Sequence, residues 1–428
     1  MTTLLREGLT RDHVFVNEPH THFIGTTRGF RVQLYAVSRA AVDAITAPGV
    51  MGDSIDRDSP AIHSIGRLTP RALTFEQSTT PGFRIRKRNL RRAVDAELAR
   101  GFATSTILED LNLRGAPVDV RPMVTLWAQR AVGDLVWGQD AASATVPYFD
   151  AHGDVVMEQF RTALHDTFRR VRSYSTRARL RVVPSGSRLT FSAEARSLSR
   201  NIRILREHAA RALEQVPEGH SARVLSEANQ REHIAAEVTL DDALTSYLAG
   251  IDTLTASIMI TLRHVLHPDN VRWRDAIVDG DQAERTHIAL ACVKEALRVS
   301  PPGSLFNNRV VRDTHIDVDG VEYKMRRGTR LMPHVHIVQA RAGVAYDPQR
   351  FLEGGSTPDF LAFGRGARSC PGKAAGLALA STFLAEFISM NPTASVTEGV
   401  DEPAKFNTMS DRPLYLEHRP PVRHQSEE

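Results

Sequence analysis

The chain has 428 residues, 42% of them hydrophobic, which is enough apolar material for a large buried core. Its 54 Lys and Arg residues nearly balance its 50 Asp and Glu residues, so the overall charge gives nucleic-acid binding no support. Its two cysteines are too few for the disulfide framework of a small secreted protein. The N-terminal stretch contains no apolar run of signal-peptide length, so we expect a cytoplasmic protein that is not inserted in a membrane.

The first predicted elements are a β-hairpin and a short helix. Residues 20–37 alternate around a turn, which is typical of a hairpin. Ser38 is a suitable N-cap for the helix that the pattern predicts from Ser38 to Thr46. Residues 50–80 carry Gly, Pro, Asp and Ser at intervals and predict a long irregular connection.

Helices are predicted for most of the middle of the chain, where apolar residues recur at helical spacing. The longest of them opens with the capping-like stretch Thr239-Leu-Asp-Asp and ends at Pro268. The predicted ranges after Pro81 are 120–137, 151–172, 190–214, about 239–267 and 283–298.

Residues 305–340 are rich in Val and Ile and carry turn signals, which predicts a small β region. A final helix is expected to start just after Pro371 and to run to about Met390. Because no linker or repeat divides the chain, we predict one domain over residues 1–428, mainly α with small β-sheets. Its parts are a β-rich N-terminal part at about 20–60, a helical core at about 80–300, a β region with a cysteine loop at about 305–372, and a final helix at about 372–390.

Cys370 stands in a glycine-rich segment directly ahead of the last predicted helix. The segment 363–372 reads FGRGARSCPG. Backbone N–H groups after the cysteine and the positive end of the helix dipole stabilise negative charge on sulfur, which suits a thiolate that ligates iron. Gly364 and Gly366 allow the backbone to approach the face of a heme, and Phe363 can shield the sulfur from water.

This ten-residue pattern resembles the cysteine-ligand loop of the cytochrome P450 family. The resemblance implies heme b as the cofactor, with its iron ligated by the Cys370 thiolate and with Gly372 among the loop residues that contact it. It also implies the cytochrome P450 fold, in which the heme lies between the long central helix and the cysteine loop with the final helix.

A second motif is similar to a structural network of the same family. Glu295 and Arg298 are placed on one face of a predicted helix by their i,i+3 spacing. By the resemblance, the pair meets Arg350 and pins the loop that holds the thiolate.

The long helix carries the stretch Ala249-Gly250-Ile-Asp252-Thr253, which resembles the family's oxygen-binding segment. There the glycine opens a local distortion in the helix over the heme. Asp252 and Thr253 are implied to be an acid–alcohol pair that delivers protons to bound oxygen in a dry pocket.

Three arginines are candidates for contacts with the heme propionates. Arg309 lies at the start of the β region, where the family usually places such an arginine, and Arg368 lies two residues before the cysteine. Arg88 is the third candidate, on a basic helix. Family members often have His or Trp four residues before an Arg there, whereas this chain has Phe83 with Lys87.

By the same resemblance, the chain is a monooxygenase that activates O2 to hydroxylate, epoxidise or oxidatively couple a small organic substrate in a tailoring step of secondary metabolism. Two alternatives stay open: a heme-thiolate enzyme that uses peroxide or rearranges its substrate, and a non-catalytic heme-binding or sensor protein. The substrate pocket is expected to draw on residues near 62–80, Leu244, Tyr247, Leu248, residues 304–306 and residues 408–409.

External electron donors are implied, because no flavin-binding or iron–sulfur-binding segment is visible in the sequence. A ferredoxin with a ferredoxin reductase is the expected source, attracted by the basic run from Arg84 to Arg92 together with Lys373. We expect a monomer that binds a small molecule, and neither nucleic acid nor a membrane.

Overall fold

The computed structural model describes residues 14–16, 22–28, 31–57, 65–100, 113, 117–177, 193–303, 305–340, 343, 345–352, 360–397 and 413–418. These residues are mainly helical with small β-sheets, as the sequence predicts. The helices are α1 (Arg39–Thr46), α2 (Pro81–Arg100), α3 (Arg121–Trp137), α4 (Gln139–Ser143), α5 (Phe160–Arg177), α6 (Ala193–Gln215), α7 (Ser221–Arg231), α8 (Ala236–Val265), α9 (Val271–Asp279), α10 (Gln282–Val299), α11 (Val335–Ala340), α12 (Gln349–Leu352) and α13 (Lys373–Met390). The strands are β1 (Val14–Val16), β2 (Phe23–Arg28), β3 (Arg31–Ala36), β4 (Ile55–Arg57), β5 (Val118–Asp119), β6 (Thr145–Phe149), β7 (Val155–Gln159), β8 (Asn308–Val310), β9 (Thr314–Val318), β10 (Val321–Met325), β11 (Arg330–Pro333), β12 (Ala394–Val396) and β13 (Tyr415–His418).

One six-stranded sheet joins the N-terminal hairpin to the late β region, in the strand order β1-β2-β3-β11-β8-β4. The predicted hairpin is confirmed as β2 and β3, which pair antiparallel. The sequence suggested separate β regions, but β3 pairs in parallel with β11. Pairing between strands that are distant in sequence cannot be predicted from a local residue pattern. The sequence therefore did not predict that the two β regions form one sheet.

Local signals fixed the ends of several helices. The Ser38 hydroxyl accepts a hydrogen bond from the Ala41 amide at 3.1 Å and caps α1, as predicted. Helix α3 ends at Gly138, whose φ of 78° is accessible to glycine without strain. Helix α13 begins at Lys373 and ends at Met390, as expected.

A hairpin occupies part of a range that was predicted to be helical. The sequence analysis placed a helix over 151–172, whereas β6 and β7 form an antiparallel pair and α5 begins only at Phe160. The reason lies in the turn, where the Asp150 carboxylate accepts hydrogen bonds from three successive amides and Gly153 has a φ of 93°. Val155 and Val156 then favour an extended strand.

Helix α8 runs through the centre of the helical part and packs most extensively on α3, with α10 and α13 on other sides. Its buried side chains belong to the main hydrophobic core. The sequence predicted a local distortion at Gly250, but the helix is continuous from Ala236 to Val265. The glycine instead permits close packing, because a Cβ there would lie 2.9 Å from Cγ1 of Val132 on α3.

Two of the described helices, α8 and α13, are long and apolar enough to cross a membrane by length and composition. In each helix more than half of the most apolar stretch is buried against the rest of the protein.

Candidate functional site

The cysteine loop is a tight turn held by its own backbone. The Cys370 amide donates to the carbonyl of Phe363 at 2.8 Å, and the Gly364 amide donates to the carbonyl of Leu361 at the same distance. Gly364 and Gly366 have φ values of 70° and 64°. A Cβ at Gly366 would lie 2.6 Å from the carbonyl oxygen of Thr46, so this part of the loop rests directly on the end of α1.

The thiol of Cys370 lies at the N-terminal end of α13, whose N-cap is Gly372. The residue has solvent contact, yet the protein crowded around the sulfur raises the pKa of the thiol. A hydrogen bond from the Gly372 amide and the positive charges of Lys87 and Arg57 act in the opposite direction and stabilise the thiolate. The Phe363 ring packs against Phe360, with ring centroids 6.1 Å apart.

The structure brings Glu295, Arg298 and Arg350 together. Arg298 donates through Nε and Nη2 to the two carboxylate oxygens of Glu295, each at 2.7 Å, and both side chains are fully buried. Nε of Arg350 lies 3.7 Å from Oε1 of Glu295. The remaining Arg298 donors reach the backbone carbonyls of Gln339, Gly343 and Ala345, so the pair also fixes the segment ahead of the cysteine loop.

Gln339 connects this ion pair to the cysteine loop, a role that the sequence analysis missed. Its amide nitrogen donates to the carbonyl of Arg298 at 2.9 Å, and its amide oxygen accepts from the backbone N–H of Leu361. The side chain is fully buried. The Leu361 carbonyl accepts from the Gly364 amide, and Phe363, the residue before Gly364, accepts from the Cys370 amide, so hydrogen bonds tie the segment beside the ion pair to the cysteine loop.

Asp252 and Thr253 lie on α8, but each side chain has its own partner. The Thr253 hydroxyl donates to the carbonyl of Ala249 at 2.7 Å. Oδ1 of Asp252 lies 2.8 Å from Nε2 of His165. Burial tends to raise the pKa of Asp252, but the hydrogen bond with His165 and the charges of two nearby arginines bring that pKa below its ordinary value.

The three predicted propionate contacts are placed differently from expectation. Arg309 is exposed on β8, because strand alternation turns Asn308 and Val310 inward instead. Arg88 is half-exposed and pairs with Glu232. Arg368 is buried and binds the carboxylate of Asp56 at 2.8 Å, so its partner is a protein carboxylate.

Two other cationic side chains, Lys87 and Arg57, lie beside the cysteine loop, where contacts with the propionates were expected. Nζ of Lys87, one residue before Arg88, donates to the Ala367 carbonyl and, at 3.2 Å, to the Ser369 hydroxyl. Arg57 on β4 lines a cleft between the six-stranded sheet and the cysteine loop. Burial lowers its pKa to about 10, and its Nε has no hydrogen-bond partner among the described residues.

The predicted substrate-contact residues on α8 are not exposed to a cleft. Leu244, Tyr247 and Leu248 are sealed in the main core, and the Tyr247 hydroxyl donates to the carbonyl of Arg161 at 2.8 Å. They occupy the face of α8 that packs on its neighbours. Residues 408–409 and Ser304 lie outside the described residues.

Comparison with known proteins agrees with this geometry. The family model for cytochrome P450 matches residues 213–412, which contain α8, the buried ion pair and the cysteine loop. A crystal structure of a cytochrome P450 (CYP102L1) superposes with a TM-score of 0.71 at 16% identity, covering 98% of both chains. A zebra fish cytochrome P450 superposes with a TM-score of 0.67 at 16% identity, covering 94% of this chain and 97% of the other.

The matched part of the chain, residues 213–412, is therefore similar to the cytochrome P450 family. Among curated relatives, xanthotoxin 5-hydroxylase of Arabidopsis thaliana is 30% identical over 128 residues, covering 27% of this chain and 24% of the relative. Demethylepipodophyllotoxin synthase of Sinopodophyllum hexandrum is 33% identical over 150 residues, covering 30% and 28%. The chain therefore spans about a quarter of the length of these curated relatives.

The matching family model and the fold imply a heme whose iron is ligated by a cysteine, and the residues of this chain fit that group. Glycines with positive φ shape the loop that carries Cys370. The buried Nε of Arg57, which lacks a hydrogen-bond partner within the described part of the chain, suits an anionic propionate. Lys87 adds a second cation beside the cysteine.

Replacing Glu295 by alanine is expected to destabilise the protein strongly, because Arg298 would be left buried without its carboxylate. The loss of one partner of a buried ion pair costs about 3–5 kcal/mol. Urea unfolding followed by circular dichroism measures the change, and heme content reports the loop. Arg272→Ala is the matched control, since its pair with Asp347 is exposed on both sides and contributes at most about 1 kcal/mol. Equal effects of the two variants would contradict a structural role for the buried pair.

Proposed function

We propose that the protein is a heme-thiolate monooxygenase that uses O2 to oxidise a small organic substrate. The observation that carries the proposal is the exposed residue Cys370 at the head of α13, in a loop anchored by the Glu295–Arg298 pair. The match to the cytochrome P450 family supports the same activity.

Cys370 is the cysteine that binds the iron of heme b. The other cysteine, Cys292, is fully buried inside α10, and burial raises the pKa of its thiol to about 12. A thiolate there is disfavoured and has no open side for a ligand. Cys370 has solvent contact and three groups that stabilise its negative charge. When bound, the heme supplies the chemistry of oxygen activation, and a thiolate ligand donates electron density that favours O–O cleavage.

Asp252 and Thr253 supply protons on the α8 side. Because its pKa is lowered, Asp252 is ionised under ordinary conditions, and it takes up a proton from water, with which it has partial contact, before it passes one to the alcohol. Thr253 carries a hydroxyl that can pass a proton on while it donates to the Ala249 carbonyl. The helix backbone thus holds the alcohol, and the neighbouring helix α5 holds the acid.

The proposed substrate class is an uncharged or weakly polar secondary metabolite, modified by hydroxylation, epoxidation or oxidative coupling. Two relatives, ferruginol synthase of Salvia miltiorrhiza and protopine 6-monooxygenase of Eschscholzia californica, have names that give a reaction product or a type of reaction. Their identities to this chain, 28% each over less than half its length, support the class of reaction and no particular compound.

A ferredoxin with its reductase is the proposed electron source for a monomeric, cytoplasmic protein. Helix α2 presents Arg84, Arg91 and Arg92 to solvent, and Lys373 is exposed beside the cysteine loop. Arg86 does not belong to this surface, because it is buried against Asp242 and Glu76. A cluster of exposed cations suits an acidic partner, whose approach it accelerates at low ionic strength.

Thr253→Ala is expected to divert oxygen to peroxide, because the alcohol that passes protons is gone. With plant-type ferredoxin, its reductase and NADPH as surrogate donors, the product formed per NADPH should fall about tenfold while NADPH is still consumed. Thr253→Ser keeps the hydroxyl and should behave like the wild type. An unaffected alanine variant would favour a peroxide-using or rearranging enzyme. A wild type that accepts electrons but consumes no oxygen would favour a heme-binding sensor.

Arg57→Leu is expected to release heme faster, because a buried charge-assisted hydrogen bond contributes about 1.5–3 kcal/mol. Transfer of heme to an excess of apomyoglobin should accelerate by about tenfold or more. Arg309→Leu is the matched control on the neighbouring strand and should change the rate less than twofold. The reverse ranking would restore the role that the sequence assigned to Arg309.

Reversing two charges on α2, Arg91→Glu with Arg92→Glu, is expected to slow reduction by an acidic ferredoxin and to flatten its dependence on salt. Stopped-flow reduction in the presence of carbon monoxide gives the rate. Arg196→Glu, an exposed arginine on α6, is the control for net charge. Identical kinetics in all three proteins would place the docking surface elsewhere.

A further inference from the structure

Three helices contribute to a continuous chain of side chains that ends at Asp252. Nε2 of Gln129, on α3, lies 2.9 Å from Nδ1 of His165, on α5. Nε2 of His165 lies 2.8 Å from Oδ1 of Asp252, on α8. No pattern in the sequence pointed to His165 or Gln129, since they lie 87 and 123 positions before Asp252.

The Gln129 amide determines the tautomer of the imidazole. It donates to Nδ1, so Nδ1 carries no hydrogen and the hydrogen of a neutral ring resides on Nε2. Nε2–H then donates to the carboxylate of Asp252. Gln129 and His165 are 7% and 3% exposed, so bulk water offers neither group a replacement partner.

The surroundings of Asp252 make this hydrogen bond the dominant contact of the carboxylate. Nη1 of Arg172 is 3.9 Å from Oδ2 and belongs to a half-exposed side chain, and the charge of Arg169 also acts on the carboxylate. All three partners belong to α5. Thr253, the next residue along α8, donates instead to the helix carbonyl of Ala249.

We propose that His165 is the positioning residue for Asp252. Its Nε2–H, which Gln129 orients, holds the carboxylate on the α5 side of α8. The same hydrogen bond sets the free energy that is needed to rotate the carboxylate toward Thr253. This rests on the proposed function, in which a proton passes from the acid to the alcohol. The polar contacts of the described residues join Asp252 to α5 and Thr253 to the backbone of α8, so the transfer requires either that rotation or an intervening water. His165 acts through Asp252 and does not itself touch the reacting atoms.

The test is a double-variant cycle on the heme-loaded, full-length protein. His165→Phe keeps a flat ring but removes the donor, whereas His165→Gln keeps an N–H donor at a similar reach. Asp252→Asn removes the acid, and His165→Phe is repeated in that background. With plant-type ferredoxin, its reductase and NADPH as donors, the peroxide released per O2 consumed is measured across pH.

His165→Phe is expected to raise the peroxide fraction about tenfold, because a displaced acid delivers protons poorly. Without the hydrogen bond, burial raises the pKa of Asp252, so the pH profile should move to higher pH. His165→Gln should stay within about twofold of the wild type. In the Asp252→Asn background His165→Phe should add nothing. The proposal would be overturned if the effects of His165→Phe and Asp252→Asn multiply, or if His165→Gln is as impaired as His165→Phe.

A second readout does not depend on turnover. In the diamagnetic, reduced and carbon-monoxide-bound protein, nitrogen-15 shifts of labelled histidine should show His165 with its hydrogen on Nε2, and Gln129→Leu should produce a mixture of tautomers. A hydrogen on Nδ1 in the wild type would contradict the positioning role. A wild type that shows the expected tautomer but consumes no oxygen would instead contradict the proposed function, so the two failures are distinguishable.

Discussion

A buried carboxylate and a buried guanidinium determine where the cysteine loop can lie. Glu295 and Arg298 neutralise each other at 2.7 Å with both side chains fully buried, and separating the two buried charges would carry a large desolvation cost. Arg298 uses its remaining donors on backbone carbonyls of the following segment, and Gln339 transmits the constraint to Leu361. The buried pair on α10 thus helps to hold Cys370 at the head of α13 through the hydrogen bonds of Gln339 and Leu361.

Helix α8 packs on α10 and α13 in the core, and a second set of buried charges ties it to the segment before α2. Asp241 and Asp242 are almost fully buried and accept hydrogen bonds from the backbone amides of Arg71 and Leu73. Arg206 and Arg86 neutralise them. The irregular segment before α2 is thereby tied to α8, which explains how a connection with little regular structure of its own is held in place. Further along α8, Asp252 likewise makes polar contacts with another element, the helix α5.

Much of the fold was predictable because its signals are local, and the rest was not because it depends on distant partners. Ser38 caps its helix within the same turn. The Glu295–Arg298 pair lies on one helix face for geometric reasons alone. By contrast, the position of Arg57 depends on the pairing of β4 with β8, two strands that are distant in sequence. In β8 the side chain of Asn308 is buried and that of Arg309 is exposed. Successive residues of a helix point about 100° apart, so Lys87 meets the cysteine loop and Arg88 meets Glu232.

The central claim is that Cys370 holds a heme iron as its thiolate, and the reduced carbon-monoxide difference spectrum tests it most directly. The wild-type protein and Cys292→Ser should both show the strongly red-shifted Soret band of thiolate-ligated heme, and Cys370→Ser should lose it. A wild-type band at the position typical of imidazole-ligated heme, or a red-shifted band that survives in Cys370→Ser, would contradict the account.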